Sequence, residues 1–179
     1  MVELGLARFG ATPYDEVSID DIAEAAGISK GLLYHYFPTK RAFYTACVGE
    51  AADQLLTAIT SSAKPDADPL ERLDRALSAY LEYVQEHARA YANLMIIGIG
   101  VDEECRAIVD ETRAKLVDHL LEGMAESVSI TPMIKIALRG WVGLAETATL
   151  AWAEEGSPVS TRKMRELLKT ALLAVITRT

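Results

Sequence analysis

Apolar residues recur at helical spacing along most of the chain, and strand-like alternation never lasts more than a few positions. Ile19, Ile22, Ala23 and Ala26 form the apolar face of one clear helix. Ser18 stands in front of it as N-cap, and Asp20 and Asp21 occupy its first turn, where carboxylates meet the positive helix end. Gly27 closes it, since glycine takes positive φ without a Cβ clash. Ser29 caps a second, short helix that has to stop near Tyr36, because Pro38 disfavours helical backbone at Phe37. Thr39 then caps a long helix reaching Ser62, with Phe43, Ala46, Cys47, Ala51, Leu55 and Ile59 inward.

Residues 63–69 (AKPDADP) mark a boundary, and Asp68-Pro69-Leu70-Glu71 opens the next helix with an N-cap, a proline in the first turn and a capping-box carboxylate. Leu70, Leu73, Leu77, Tyr80, Leu81 and Val84 stripe that helix. A shorter one is expected around Ala90 to Ile97, ending at Gly98 and Gly100. Asp102 caps another, with Ile108, Leu116, Leu120 and Met124 on one face. Thr131-Pro132 opens a helix that runs to about Glu154, Gly156-Ser157-Pro158 breaks the chain, and Ser160 or Thr161 caps a last helix carrying Met164, Leu167, Leu168, Leu172 and Ile176. The pattern predicts an all-α protein of about nine helices, without repeats or low-complexity segments.

Composition changes this picture little. At 179 residues, 50% hydrophobic and 25% charged, the chain reads as one or two small folded domains. No apolar run approaches the roughly 18 residues of a spanning helix, and residues 1–10 do not read as a signal peptide. Cys47 and Cys105 are far apart without metal-ligand spacing, so reduced thiols in a cytoplasmic protein are expected. His87 and His119 are isolated, with no nucleophile or orienting acid beside them. No catalytic, metal or cofactor site is expected, and no enzyme. His87 reads as a favourable charge near a helix end.

Charge does single out one stretch. The net charge of −8 argues against a whole surface devoted to nucleic acid, but residues 25–43 contain no acid and hold Lys30, Lys40, Arg41 and His35 among aromatics. Two short helices around a glycine turn form a helix-turn-helix pattern, in which Ile22, Ile28 and Leu33 fill the junction and Ala23 is small where the second helix crosses. The outward side of the second helix offers Lys30, Gly31, Tyr34 and His35, and Lys40 lies in the first turn of the next helix, where backbone N–H groups also attract phosphate. Spacing alone fits an αα-hairpin in an ordinary helical core equally well, and Tyr36, Phe37 and Phe43 read as core residues.

The run Ser18-Ile19-x-x-Ile22-Ala23-x-x-Ala26-Gly27-Ile28-Ser29-x-Gly31-x-Leu33-Tyr34-x-Tyr36-Phe37-x-x-Lys40 resembles the DNA-binding signature of the TetR (tetracycline-repressor) family of regulators. The resemblance covers about the first quarter of the chain. It implies a three-helix DNA-binding domain over residues 1–45 and a helical ligand-binding and dimerisation domain over 46–179. It implies a transcriptional regulator, most simply a repressor, released from a palindromic operator by a small apolar effector. Ser18, Ser29, Lys30, Gly31, Tyr34, His35, Lys40 and Arg41 are then the residues at or near DNA. Position 41, often acidic in the family, is Arg here.

The family places its effector between the middle helices. Tyr80, Tyr83, Tyr91, Met95, Leu116, His119, Leu120, Trp141 and Thr147 are the expected lining, apolar with a few polar groups. Small residues set among large ones in the helix from Pro132, together with the last helix, suggest a two-fold four-helix bundle. Gly143, Ala148, Trp152, Leu168 and Leu172 are expected at the dimer interface. The segment MVELGLARFG matches only the latter part of the family's first helix and lacks the usual basic residues before it. Through Ala42 there are four Lys/Arg against six Asp/Glu. Two readings stay open: a start upstream of Met1, or a ligand-binding dimer with weak or lost DNA binding. A redox sensor using Cys47 or Cys105 is the remaining rival.

Overall fold

A computed structural model describes residues 1–62, 67–92, 103–125 and 128–177. Among them lie nine α-helices and no strand. They are α1 (Val2–Ala11), α2 (Ile19–Ala25), α3 (Lys30–Tyr36), α4 (Lys40–Ser61), α5 (Pro69–Glu86), the single turn α6 (Ala88–Ala90), α7 (Glu103–Met124), α8 (Pro132–Glu154) and α9 (Thr161–Thr177). A 3₁₀ turn over Tyr14–Glu16 joins α1 to α2. The expected caps hold the ends. Asp68 Oδ1 accepts the Leu70 and Glu71 N–H groups at 2.9 and 3.0 Å, and Thr131 Oγ1 accepts Ile134 N–H at 3.2 Å. Ser160 Oγ, rather than Thr161, accepts the N–H of Lys163 at 3.4 Å. Ile97, the helix stop at Gly98 and Gly100, and the Asp102 cap lie outside the described residues.

The chain divides into two compact units, Met1–Gln54 with Arg89–Val109, and Leu55–Ala88 with Asp110–Thr179. The first is built on aromatic packing. The Phe9 ring lies 5.9 Å from Phe43 and 5.0 Å from Tyr44, and Phe37 lies 4.9 Å from Phe43. Ile22, Leu33, Cys47 and Val48 are fully enclosed with them. Helix α1 lies close on α4 because position 5 is glycine. A Cβ there would stand 2.6 Å from both Cys47 Sγ and Phe43 Cζ. Gly10 is as tight, its Cβ position falling 2.6 Å from the Ala90 Cβ.

In the second unit α5, α8 and α9 pack on one another. Leu77, Leu81, Val84, Leu138, Trp141, Trp152, Leu168 and Leu172 make the core. Each tryptophan N–H, which would be costly to bury unpaired, reaches a carbonyl: Trp141 donates to Leu168 O at 3.0 Å and Trp152 to Val159 O at 2.8 Å. Charged pairs lace the rim, with Lys169 Nζ 3.0 Å from Asp74 Oδ1 and Arg113 Nη2 2.9 Å from Glu146 Oε2. Helix α8 ends as the sequence predicts, at Glu154, with Gly156 two residues beyond at φ +73. The N–H of Gly156 donates to Ala153 O and that of Ser157 to Trp152 O.

The close approach at Gly5 yields a direct expectation. Gly5→Ala, favourable in an isolated helix, destabilises this protein by about 1–3 kcal/mol, because the added methyl must push α1 away from Phe43 and Cys47. Urea unfolding, with the midpoint lowered at unchanged m, checks it.

Candidate nucleic-acid interface and ligand cavity

The α2–α3 corner is set by backbone chemistry. Gly27 takes φ +66; its N–H donates to Glu24 O at 3.0 Å, and the N–H of Ile28 donates to Ala23 O at 3.0 Å. These two bonds satisfy the last carbonyls of α2 and turn the chain sharply. Ser18 Oγ accepts Asp21 N–H at 3.3 Å and Ser29 Oγ accepts Leu32 N–H at 3.1 Å, so both serines hold helix starts. In α3 Leu33 is fully buried while Lys30, Gly31, Leu32, His35 and Tyr36 are exposed and Tyr34 is half-exposed. Tyr36, expected in the core, is 60% exposed, because Leu33 alone fills the space beneath so short a helix. Leu32 and Tyr36 therefore join the outward side, although their apolar character pointed inward.

Gly31 has no packing role within the chain: a Cβ there would meet only Ser29 Oγ, at 3.9 Å. The basic groups are partly engaged. Lys30 Nζ lies 2.7 Å from Asp20 Oδ1, a carboxylate that raises the lysine pKa chiefly by accepting its hydrogen bond. Lys40 Nζ lies 4.6 Å from the centre of the Tyr14 ring and donates to Asp15 O at 3.4 Å. Thr39 Oγ1 caps α4 by accepting Ala42 N–H at 3.0 Å, and Arg41 beside it is exposed. Lys30, Gly31, His35 and the first turn of α4 thus form a compact polar surface around the corner.

The second unit holds an apolar cavity of about 710 Å³, within the size range of small-molecule sites. Leu70, Leu73 and Ala76 of α5, Leu120 and Met124 of α7, and Leu172, Leu173 and Ile176 of α9 line it, with Thr60 from the end of α4. Arg72 and His119 are among its polar lining. Of the expected ligand residues, His119 and Leu120 face this space. The others are placed elsewhere. Tyr80 and Tyr91 are buried, Trp141 is tied to Leu168 O, and the Tyr83 ring lies 4.7 Å from that of His87, tilted by 49°, with His87 at the C-cap of α5. Leu116 is half-buried outside the lining, and Met95 lies outside the described residues. Thr147 donates to Gly143 O and borders a separate, charged recess where Arg113 clamps Glu146. The cavity has a sequence signal: Leu70 and Leu73 extend the α5 stripe beyond the part its core covers, leaving Leu70 53% exposed.

The expected dimer residues also divide. Trp152, Leu168 and Leu172 are buried among the described residues of the chain. Gly143 and Ala148 are only partly covered, and Met133, Ile136 and Leu144 of α8 and Leu167 of α9 stand exposed. Both thiols are buried, and burial pushes Cys47 up to about 12, so it stays protonated and unreactive near neutrality. Among the described residues there is no cluster of metal-ligating side chains and no helix long and apolar enough to cross a membrane.

Residues 2–47 match the family model for bacterial regulatory proteins of the tetR family, and residues 69–174 match that of the tetracyclin repressor-like C-terminal domain. A tetR-family transcriptional regulator from Streptomyces coelicolor superposes with a TM-score of 0.86 at 32% identity, over 99% of this chain and 78% of that one. The transcriptional repressor KstR2 of Mycobacterium tuberculosis is 22% identical over 190 residues, spanning 99% of this chain and 92% of that protein. FadR from Bacillus subtilis, solved in complex with stearoyl-CoA, shares the fold with a TM-score of 0.76 at 16% identity, over 99% and 97% of the two chains. Family signatures over both parts of the chain, on an all-helical architecture that the S. coelicolor regulator shares, establish that this protein belongs to the TetR family of transcriptional regulators.

Proposed function

We propose that the chain is a cytoplasmic, homodimeric repressor, not an enzyme, that leaves palindromic operator DNA when a small apolar effector occupies the second unit. Residues 1–45 carry the DNA-binding role and residues 46–179 the effector and dimer roles. The observation that carries this reading is α3 itself: one buried leucine beneath, and Lys30, Gly31, Tyr34 and His35 on the other sides of a helix short enough for a major groove about 12 Å wide. Ser18, Ser29, Lys40 and Arg41 flank it, offering hydroxyls, cations and a helix N-terminus to phosphates. A dimer reads two half-sites when its recognition helices stand about 34–36 Å apart. Helix α4 is the proposed link to the effector. It is continuous from Lys40, just after α3, to the turn whose Thr60 lines the cavity. A ligand that binds one α4 position better than another biases the spacing by its differential affinity.

Asp20 competes with phosphate for Lys30 in this reading. Asp20→Asn is expected to tighten operator binding about two- to fivefold, the range of an exposed ion pair. Lys40→Ala weakens binding on all sequences alike and lowers the salt slope by about one unit. Gly31→Ala keeps or raises thermal stability, because a methyl there meets only a side-chain oxygen at van der Waals distance, yet loses operator affinity. Fluorescence-anisotropy titrations across a salt series decide. A wild-type protein with no salt-dependent affinity for operator DNA would favour the ligand-binding dimer that has lost DNA binding.

The dimer surface is assigned to the exposed side of α8 and α9, where Ile136 is 62% and Leu167 55% exposed. Such large apolar side chains suit a two-fold helix bundle. Gly143→Leu separates interface from core. A Cβ at Gly143 meets nothing within 4 Å among the described residues, so the protomer tolerates it while a closely packed partner does not. Sedimentation is expected to show monomer at low micromolar concentration, and a variant that stays dimeric places the interface elsewhere.

A further inference from the structure

Arg72 stands apart from the other cations on and around α5. Arg75 pairs with Glu71 at 2.7 Å, and Lys169 with Asp74 at 3.0 Å. Arg72, half-buried on the cavity wall, has no carboxylate partner among the described residues. Its Nη2 donates to Gly123 O at 3.2 Å, and its Nε is closed off from solvent with no acceptor among the described residues. A guanidinium held this way is under-satisfied: one neutral carbonyl answers a full charge beside an apolar space. Room exists beside that carbonyl, since a Cβ at Gly123 would meet nothing within 4 Å.

The acids on the same wall do not answer Arg72. Asp68 Oδ1 is committed to two backbone N–H groups at the start of α5, and Glu122 is exposed. The imidazole of His119 adds a second polar group to the lining. The remaining walls are aliphatic: Leu73, Leu120, Met124, Leu172 and Ile176.

We propose that this cavity binds an apolar molecule bearing a single carboxylate, with the acid at Arg72 and the hydrocarbon against the aliphatic walls. The proposal rests on the effector reading above and narrows it to acidic amphiphiles. A planar guanidinium presents its donors in a fork that fits a carboxylate, and one negative charge balances an arginine that no carboxylate among the described residues answers. A phosphate monoester would bring a surplus charge beside Asp68 and Glu122.

The test is calorimetric titration of the full chain with decanoate, decan-1-ol and decyltrimethylammonium, which share a chain and differ in head group. Decanoate is expected to bind on the order of tenfold more tightly than decanol, with the cationic probe weakest. Arg72→Met should erase the preference for the acid while keeping the decanol affinity. Ala76→Phe, which fills the cavity from α5, should abolish binding of both probes. Equal affinities for the three probes in the wild-type protein would overturn the carboxylate anchor and leave the apolar-effector reading standing. Binding of none of them would overturn both. Decanoate that still binds Ala76→Phe with wild-type affinity would place the acid outside this cavity, and the wild-type comparison holds whether or not the Arg72 variant folds.

Discussion

Burial of Leu33 beneath a corner turned at Gly27 is the constraint on which the outward face of α3 depends. Helix α3 has seven residues, far too few to be stable alone in water, so its geometry is imposed by tertiary packing. Leu33 supplies that packing, fully enclosed with Ile22 and Phe43 in the first unit. The left-handed glycine and the two bonds closing α2 set the direction in which α3 leaves. With one side so anchored, the rest of α3 faces outward. Even Leu32 and Tyr36 remain uncovered. The aromatic contacts of Phe9, Phe37, Phe43 and Tyr44 fix the same unit from the α4 side.

Electrostatics tune that surface. The chain carries −8 overall, and the first helices hold more acids than bases, so attraction to a polyanion is concentrated in a few groups. Lys30 shares its charge with Asp20, and Lys40 rests over Tyr14. In the proposed operator complex, each phosphate contact by these lysines would exchange an intramolecular partner for an intermolecular one, which lowers the net gain per contact and favours sites where shape and base contacts add to it.

The second unit departs from a fully packed bundle where α5, α7 and α9 approach their ends. The tryptophan N–H groups of α8 are matched to carbonyls and its buried side chains interlock with α5 and α9. Toward Leu70 and Ile176 the apolar stripes run on past the core and line open space instead. An uncovered apolar wall beside Arg72, which no carboxylate among the described residues answers, is a costly arrangement. Ligand burial would recover hydrophobic contact and charge balance together.

Periodicity, caps and breakers determined by themselves the all-helical class, most helix boundaries and the position of the α2–α3 corner, because those signals are local. Ser18, Gly27, Ser29, Asp68 and Gly156 act on backbone groups within a few residues. The motif around that corner likewise carried the family. Tertiary structure alone decided which apolar residues face in. Tyr36 reads as core and stands in solvent. Trp152, Leu168 and Leu172 read as interface and Tyr80 and Trp141 as ligand contacts, and all five are buried among the described residues. A stripe says that a side chain seeks burial, not what buries it. Whether a neighbouring helix, a second copy or a ligand covers it depends on helix length and on contacts distant in sequence, and that is why Arg72 and the ends of the α5 and α9 stripes came together as a cavity only in three dimensions.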